Sequence, residues 1–236
     1  MKTLLFVLLL LVETAGATEI INLTTQNTIN FRGVVDDSSV ITAQLKLAEL
    51  AKARGKANYT IYLVLDSPGG SLVAGDSFIQ FAKTIPNVQT ITLFAASMAA
   101  GIVEALPGKR NIAENGILMF HRARAGFQGQ FEMGEVESQL ALAKALVLSM
   151  ENVNAARLGL SLADYKVKVM IEYWLYGAGA VKDNAADTLI NIVCSSELID
   201  ARELVVTREL FGQQELAQFS SCPLLRSPIE AKEKVK

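Results

Sequence analysis

Two periods of apolar and polar positions alternate along this chain. Thr60 to Leu65 is an almost unbroken apolar run, the pattern of a strand buried on both faces. Val88 to Phe94 and Asn115 to His121 predict two more strands, and Thr28 to Gly33 a short one ending in a glycine turn. Between them the spacing changes to that of a helix. Ser38 to Ala53 carries Val40, Leu45, Leu47 and Leu50 among its apolar positions, with Asp36, Asp37 or Ser38 available as a cap. Leu72 to Ile85 and Gly134 to Leu158 also read as helices, and Ala96 to Leu106 as a helix of small residues. Strands that alternate with helices predict an α/β fold with a mainly parallel sheet. Sites in such folds gather at the carboxyl ends of the strands. Asp66 to Gly70, Ala95 to Met98 and His121 all fall at such ends.

The amino terminus has a different pattern. Lys2 precedes an apolar run from Leu4 to Val12, and Ala15-Gly-Ala17 follows. This predicts a secretory signal cleaved after Ala17, because the run is shorter than the ~20 residues that span a bilayer. Residues 18–200 then form one domain and 201–236 a polar carboxyl-terminal extension. Membrane contact is expected only through the signal, if it is retained. Export makes a Cys194–Cys222 disulfide possible, with two free thiols as the alternative. Asn22-Leu-Thr24 and Asn58-Tyr-Thr60 match the short glycosylation pattern, which matters only in a eukaryotic secretory pathway.

Composition narrows the chemistry. The 236 residues carry 22 Lys+Arg against 24 Asp+Glu, so no basic surface for nucleic acid is expected. One histidine and two cysteines exclude a multi-histidine or four-thiolate metal site, and no cofactor is called for. Imidazole chemistry near neutral pH falls to His121 alone.

Ser97 stands directly after a predicted strand and at the start of a helix, where unpaired backbone N–H groups stabilise developing negative charge. On that segment alone a helix N-cap explains Ser97 better. Gly69-Gly70 follows a buried strand and permits a close backbone approach to a ligand, or simply a turn. His121 closes an apolar strand in register with both, and imidazole is the usual base for activating a hydroxyl.

Asp66-Ser-Pro-Gly-Gly-Ser-Leu, Ala-Ala-Ser97-Met-Ala-Ala, Gly108-Lys-Arg and Ile117-Leu-Met-Phe-His121 stand in an order and spacing that resemble the Clp protease proteolytic subunit. The resemblance runs from about Asn27 to Ile192. It implies the Clp/crotonase fold of repeated ββα units, with a long protruding helix-strand handle. It further implies a serine peptidase acting on peptides or unfolded proteins, with Ser97 as nucleophile and His121 as general base. The backbone N–H groups of Gly70 and Met98 would form the oxyanion hole. Aligning Ala180-Val181 and Asp187 with the family pattern places Glu172 at the acid of the triad, with Asp183 and Asp187 as alternatives. Gly126 to Phe131 falls where the family has a glycine-rich strand, and the family implies a homo-oligomeric ring. The export signal departs from the family's cytoplasmic setting and removes the basis for an ATP-driven unfoldase partner. Phe94 stands where the family often has glycine, which bears on the specificity pocket.

Three other readings carry different chemistry. A Ser-Lys peptidase of the signal-peptide-peptidase type would need a lysine base, with Lys109 the nearest in sequence. A crotonase-type acyl-thioester enzyme would use similar oxyanion-hole groups without a Ser-His pair. A non-catalytic paralogue would only bind or assemble.

Overall fold

The computed structural model describes residues 18–124, 132–210 and 213–235. The expected signal and the Gly126–Phe131 motif lie outside the described residues. The elements in chain order are β1 (Glu19–Leu23), β2 (Thr28–Arg32), α1 (Asp37–Arg54), β3 (Ile61–Ser67), α2 (Leu72–Ala82), β4 (Val88–Ala96), α3 (Met98–Ala105) and β5 (Arg110–Phe120). They continue as α4 (Met133–Leu158), α5 (Leu162–Lys168), β6 (Tyr173–Tyr176), α6 (Ala178–Lys182), β7 (Thr188–Cys194) and α7 (Ser196–Asp200). Three last strands, β8 (Arg202–Leu210), β9 (Gln213–Ser220) and β10 (Glu230–Val235), complete the described chain.

The main sheet runs β1-β7-β5-β4-β3-β2, and β6 joins it on β5. Every pairing along that path is parallel, and only β6 is antiparallel. This is the mixed α/β architecture expected of the pattern. The near-continuous apolar run of β3 has the expected cause. Ile61, Leu63 and Leu65 face the helices, while Val64 joins Ile91, Leu93 and Ile190 on the opposite face. Both faces are therefore covered, as parallel sheets require.

Local chemistry explains the helix boundaries. Asp36 caps α1 by accepting from the Ser39 N–H at 2.7 Å, while the Ser39 hydroxyl accepts from the Asp36 N–H at 3.0 Å. Along that helix Val40, Leu47 and Leu50 are buried, whereas Leu45 points to solvent. α4 is mostly exposed along its length and sinks into the core only near its carboxyl end, at Asn154, Ala155 and Leu158.

The carboxyl-terminal extension forms a separate antiparallel sheet, β10-β9-β8. Several contacts tie it back. Cys194 at the end of β7 is disulfide-bonded to Cys222. Arg32 pairs with Glu203 at 3.2 Å, and Arg226 pairs with Asp66. Among the described residues no helix is long and apolar enough to cross a membrane.

Candidate active site

Ser97 occupies the tight turn between β4 and α3, with φ 55° and ψ −121°. A positive φ at a non-glycine residue is strained by roughly 1–3 kcal/mol and persists only where surrounding structure enforces it. The enforcement is visible. The Ser97 N–H donates to the Met119 carbonyl of the neighbouring strand at 2.9 Å. Gly69 packs so tightly behind the turn that a Cβ there would lie 2.7 Å from Ser97 Cβ and 2.4 Å from the Ala96 oxygen. Although Ser97 is the N-cap residue of α3, its side chain makes no capping hydrogen bond. Its hydroxyl is not committed to holding the helix.

His121 directly follows β5. The parallel register sets Ala96 beside Met119, which brings the ends of β4 and β5 together. Ser97 and His121 line one pocket of about 250 Å³, together with Gly70 and Met98. Among the described residues, the N–H groups of Gly70 and Met98 donate to no acceptor. Val35 holds the Gly70 loop from behind: its N–H donates to Gly69 O at 2.9 Å, and its carbonyl accepts from Ser71 N–H at 2.7 Å. The two free N–H groups therefore stand on a braced loop and a helix N-terminus, the arrangement that receives an oxyanion.

The three candidate acids separate by position. β5 and β6 are antiparallel, with Phe120 opposite Tyr173. The ladder ends at that pair; His121 and Glu172 are the next residues on either side, and among the described residues no hydrogen bond or ion pair joins them. Glu172 is exposed, accepts from Trp174 Nε1 at 2.9 Å, and has Arg124 at 3.8 Å. Asp183 accepts from the Tyr173 hydroxyl and pairs with Lys168 at 3.7 Å; burial first, then this carboxylate, push the Tyr173 hydroxyl pKa up. Asp187 is engaged at the opposite end of β5. It accepts from the Arg110 backbone N–H at 2.8 Å and pairs with the Arg110 guanidinium at 2.6 Å. Those contacts outweigh partial burial and hold its carboxyl below the usual range. The length of β5 puts it on the order of 25 Å from His121. Lys109 is also at that far end, donating to Glu19 at 2.7 Å, and so is withdrawn from any dyad with Ser97.

Most of the pocket's walls come from residues outside the quoted motifs. Val147, Met150, Glu151 and Asn154 lie on one face of α4, Tyr165 on α5, and Leu72, Phe120, Ala123 and Arg124 also line the pocket. The helical spacing of 147, 150, 151 and 154 was the available signal. Among the described residues no group of three His, Cys, Asp or Glu side chains could hold a metal ion. Compared with known families, residues 14–192 match the family model described as Clp protease.

Proposed function

Because the chain belongs to the Clp protease family, a family of peptidases, we propose that it is a serine endopeptidase with Ser97 as nucleophile, His121 as general base and Glu172 as the orienting acid. The observation that carries this reading is the strained, uncommitted Ser97 sharing one pocket with the chain's single histidine, between two free N–H groups. His121 takes the hydroxyl proton as Ser97 Oγ attacks a peptide carbonyl. The N–H groups of Gly70 and Met98 receive the oxyanion, and His121 returns the proton to the leaving amine. Water then attacks the acyl-enzyme by the same route. Glu172, which stands just before β6 as His121 stands just after β5, stabilises the imidazolium that forms. No cofactor enters any of these steps.

The proposal extends to setting and assembly. The signal-like amino terminus and the Cys194–Cys222 disulfide support an exported, periplasmic or secreted enzyme. ATP is scarce there, so the substrates are peptides or already unfolded proteins, cleaved without an ATPase. A homo-oligomeric ring is supported by exposed apolar side chains on α4 (Leu142, Leu148) and on and before β6 (Ile171, Trp174, Tyr176). The test is fluorophosphonate labelling combined with native mass measurement. Wild type should label at Ser97 as an oligomer, and Ser97→Ala should not label. His121→Ala should lose most labelling, and Glu172→Gln should slow it by ~10²-fold or more. Undiminished labelling of Ser97→Ala sinks the nucleophile, and full-rate labelling of Glu172→Gln sinks the acid.

A further inference from the structure

The pocket beside Ser97 is lined by apolar side chains, a buried polar pair and, toward solvent, the exposed Arg124. Leu72, Phe120, Val147 and Met150 line its sides. At its end sit Asn154 and Tyr165, both almost wholly buried. Asn154 Nδ2 donates to the Tyr165 hydroxyl oxygen at 3.0 Å. That bond uses one group of each side chain and leaves a complementary pair over. Asn154 Oδ1 is buried without a hydrogen-bond partner. Among the described residues, the Tyr165 hydroxyl donates its own proton to no acceptor. Burial pushes the Tyr165 pKa up to about 12, so that proton stays in place at neutral pH. Glu151, also at the wall, is already paired with Lys166 at 3.3 Å.

A buried acceptor left unpaired is costly, and a ligand group that satisfies it is correspondingly favoured. One spare acceptor beside one spare donor matches a primary carboxamide, whose NH₂ donates while its oxygen accepts. Resting on the peptidase reading above, we infer that this pocket receives the side chain on the acyl side of the scissile bond and selects glutamine there. The two methylenes of glutamine lie against Leu72 and Met150, and its amide reaches Asn154 and Tyr165. Methionine has similar length and no donor. Glutamate has similar shape, but it lacks the NH₂ that Asn154 Oδ1 needs.

The experiment uses the full-length protein and three fluorogenic peptides differing only in glutamine, methionine or glutamate at that position, with fluorophosphonate labelling as a parallel readout. Wild type should cleave the glutamine peptide about tenfold or more faster, in kcat/KM, than either isostere. Asn154→Leu should reverse the order of glutamine and methionine. Tyr165→Phe, which keeps the ring, should narrow the preference for glutamine. An enzyme that labels at Ser97 yet cleaves the methionine peptide as well as or better than the glutamine peptide overturns the specificity alone. A protein that neither labels nor cleaves any of the three overturns the peptidase reading and this inference together.

Discussion

At the scale of single residues, Ser97 depends on what Gly69 lacks. Gly69 has φ +88°, and an added Cβ would also lie 2.8 Å from Met98 N. The obstructing atoms are backbone atoms and the Cβ of Ser97 itself, so no flexible side chain can swing away to relieve the clash. Gly69→Ala must move the turn that aims the Ser97 hydroxyl and the Met98 N–H. We expect it to slow fluorophosphonate labelling by about 10²-fold, the usual cost of losing one oxyanion donor. It should also lower stability by ~1–3 kcal/mol through overpacking and strain. Denaturant titration alongside labelling checks both, and wild-type labelling by Gly69→Ala would refute the argument. Much of this site was legible in the sequence, because Ser97, His121 and the glycine pair each sit where a strand ends. Asn154 and Tyr165 were not. A lone asparagine in a helix reads as solvated, and the spacing that sets it on one face with Val147 and Met150 does not reveal that a second helix covers that end.

At the scale of elements, one buried ion network fastens the layers behind the site. Arg110 opens β5 and reaches Glu104 on α3 at 2.6 Å, Asp187 before β7 at 2.6 Å, and the Asn184 carbonyl after α6 at 2.9 Å. α3 is the helix whose amino end carries Ser97, so the network fixes the helix from its far end. Glu104 is fully buried, one of its oxygens has no partner, and burial outweighs Arg110 to push its carboxyl from 4.5 up to about 7. Between those values the unfolded chain has lost the proton that the folded chain keeps. Stability from this group is therefore fully present below pH 4.5 and declines as pH rises toward its folded pKa. Asp187 acts in the opposite sense and below this window, since its lowered pKa costs stability only as pH falls under 3.8. Glu104→Gln should flatten the decline, shrinking the difference in Tm between pH 5 and pH 7.5. An unchanged pH profile would show that Glu104 does not titrate there. The central elements were legible from periodicity alone, because β3 and β4 are buried on both faces and need no partner to declare themselves. β1 and β7 were not, since their pairing joins residues from opposite ends of the chain, Glu19 with Ile190 and Leu23 with Cys194. β6 is only four residues long, too short for a period to show.

At the scale of the whole molecule, a family-like body carries an additional sheet. The family match ends at residue 192, and β8, β9 and β10 all follow it. This sheet is not a tail lying loose on the surface. Asn30 on β2 donates to the Glu203 carboxylate at 2.9 Å and to the Ser221 carbonyl at 2.7 Å, and Arg32 donates to the Cys222 carbonyl at 3.0 Å. Arg226 reaches Asp66, which leads into the glycine loop facing Ser97. Much of the attachment is polar and partly exposed, and such pairs hold weakly by themselves. A covalent link between Cys194 and Cys222, 28 positions apart, reinforces them. Closing a loop of that length removes roughly 3–4 kcal/mol of unfolded-state entropy in the chain-entropy account. For a chain of this size each kcal/mol shifts Tm by ~2–4 °C. The Cys194→Ser/Cys222→Ser double variant should therefore melt about 10 °C lower, and a reductant should bring wild type to the same point. If the extension unfolds separately once released, calorimetry will show a second, earlier transition instead of one shifted peak. Either result ties the extension to the body through the disulfide. A melting curve that neither reductant nor the double variant alters would mean that the polar contacts at Asn30, Arg32 and Asp66 hold the sheet unaided.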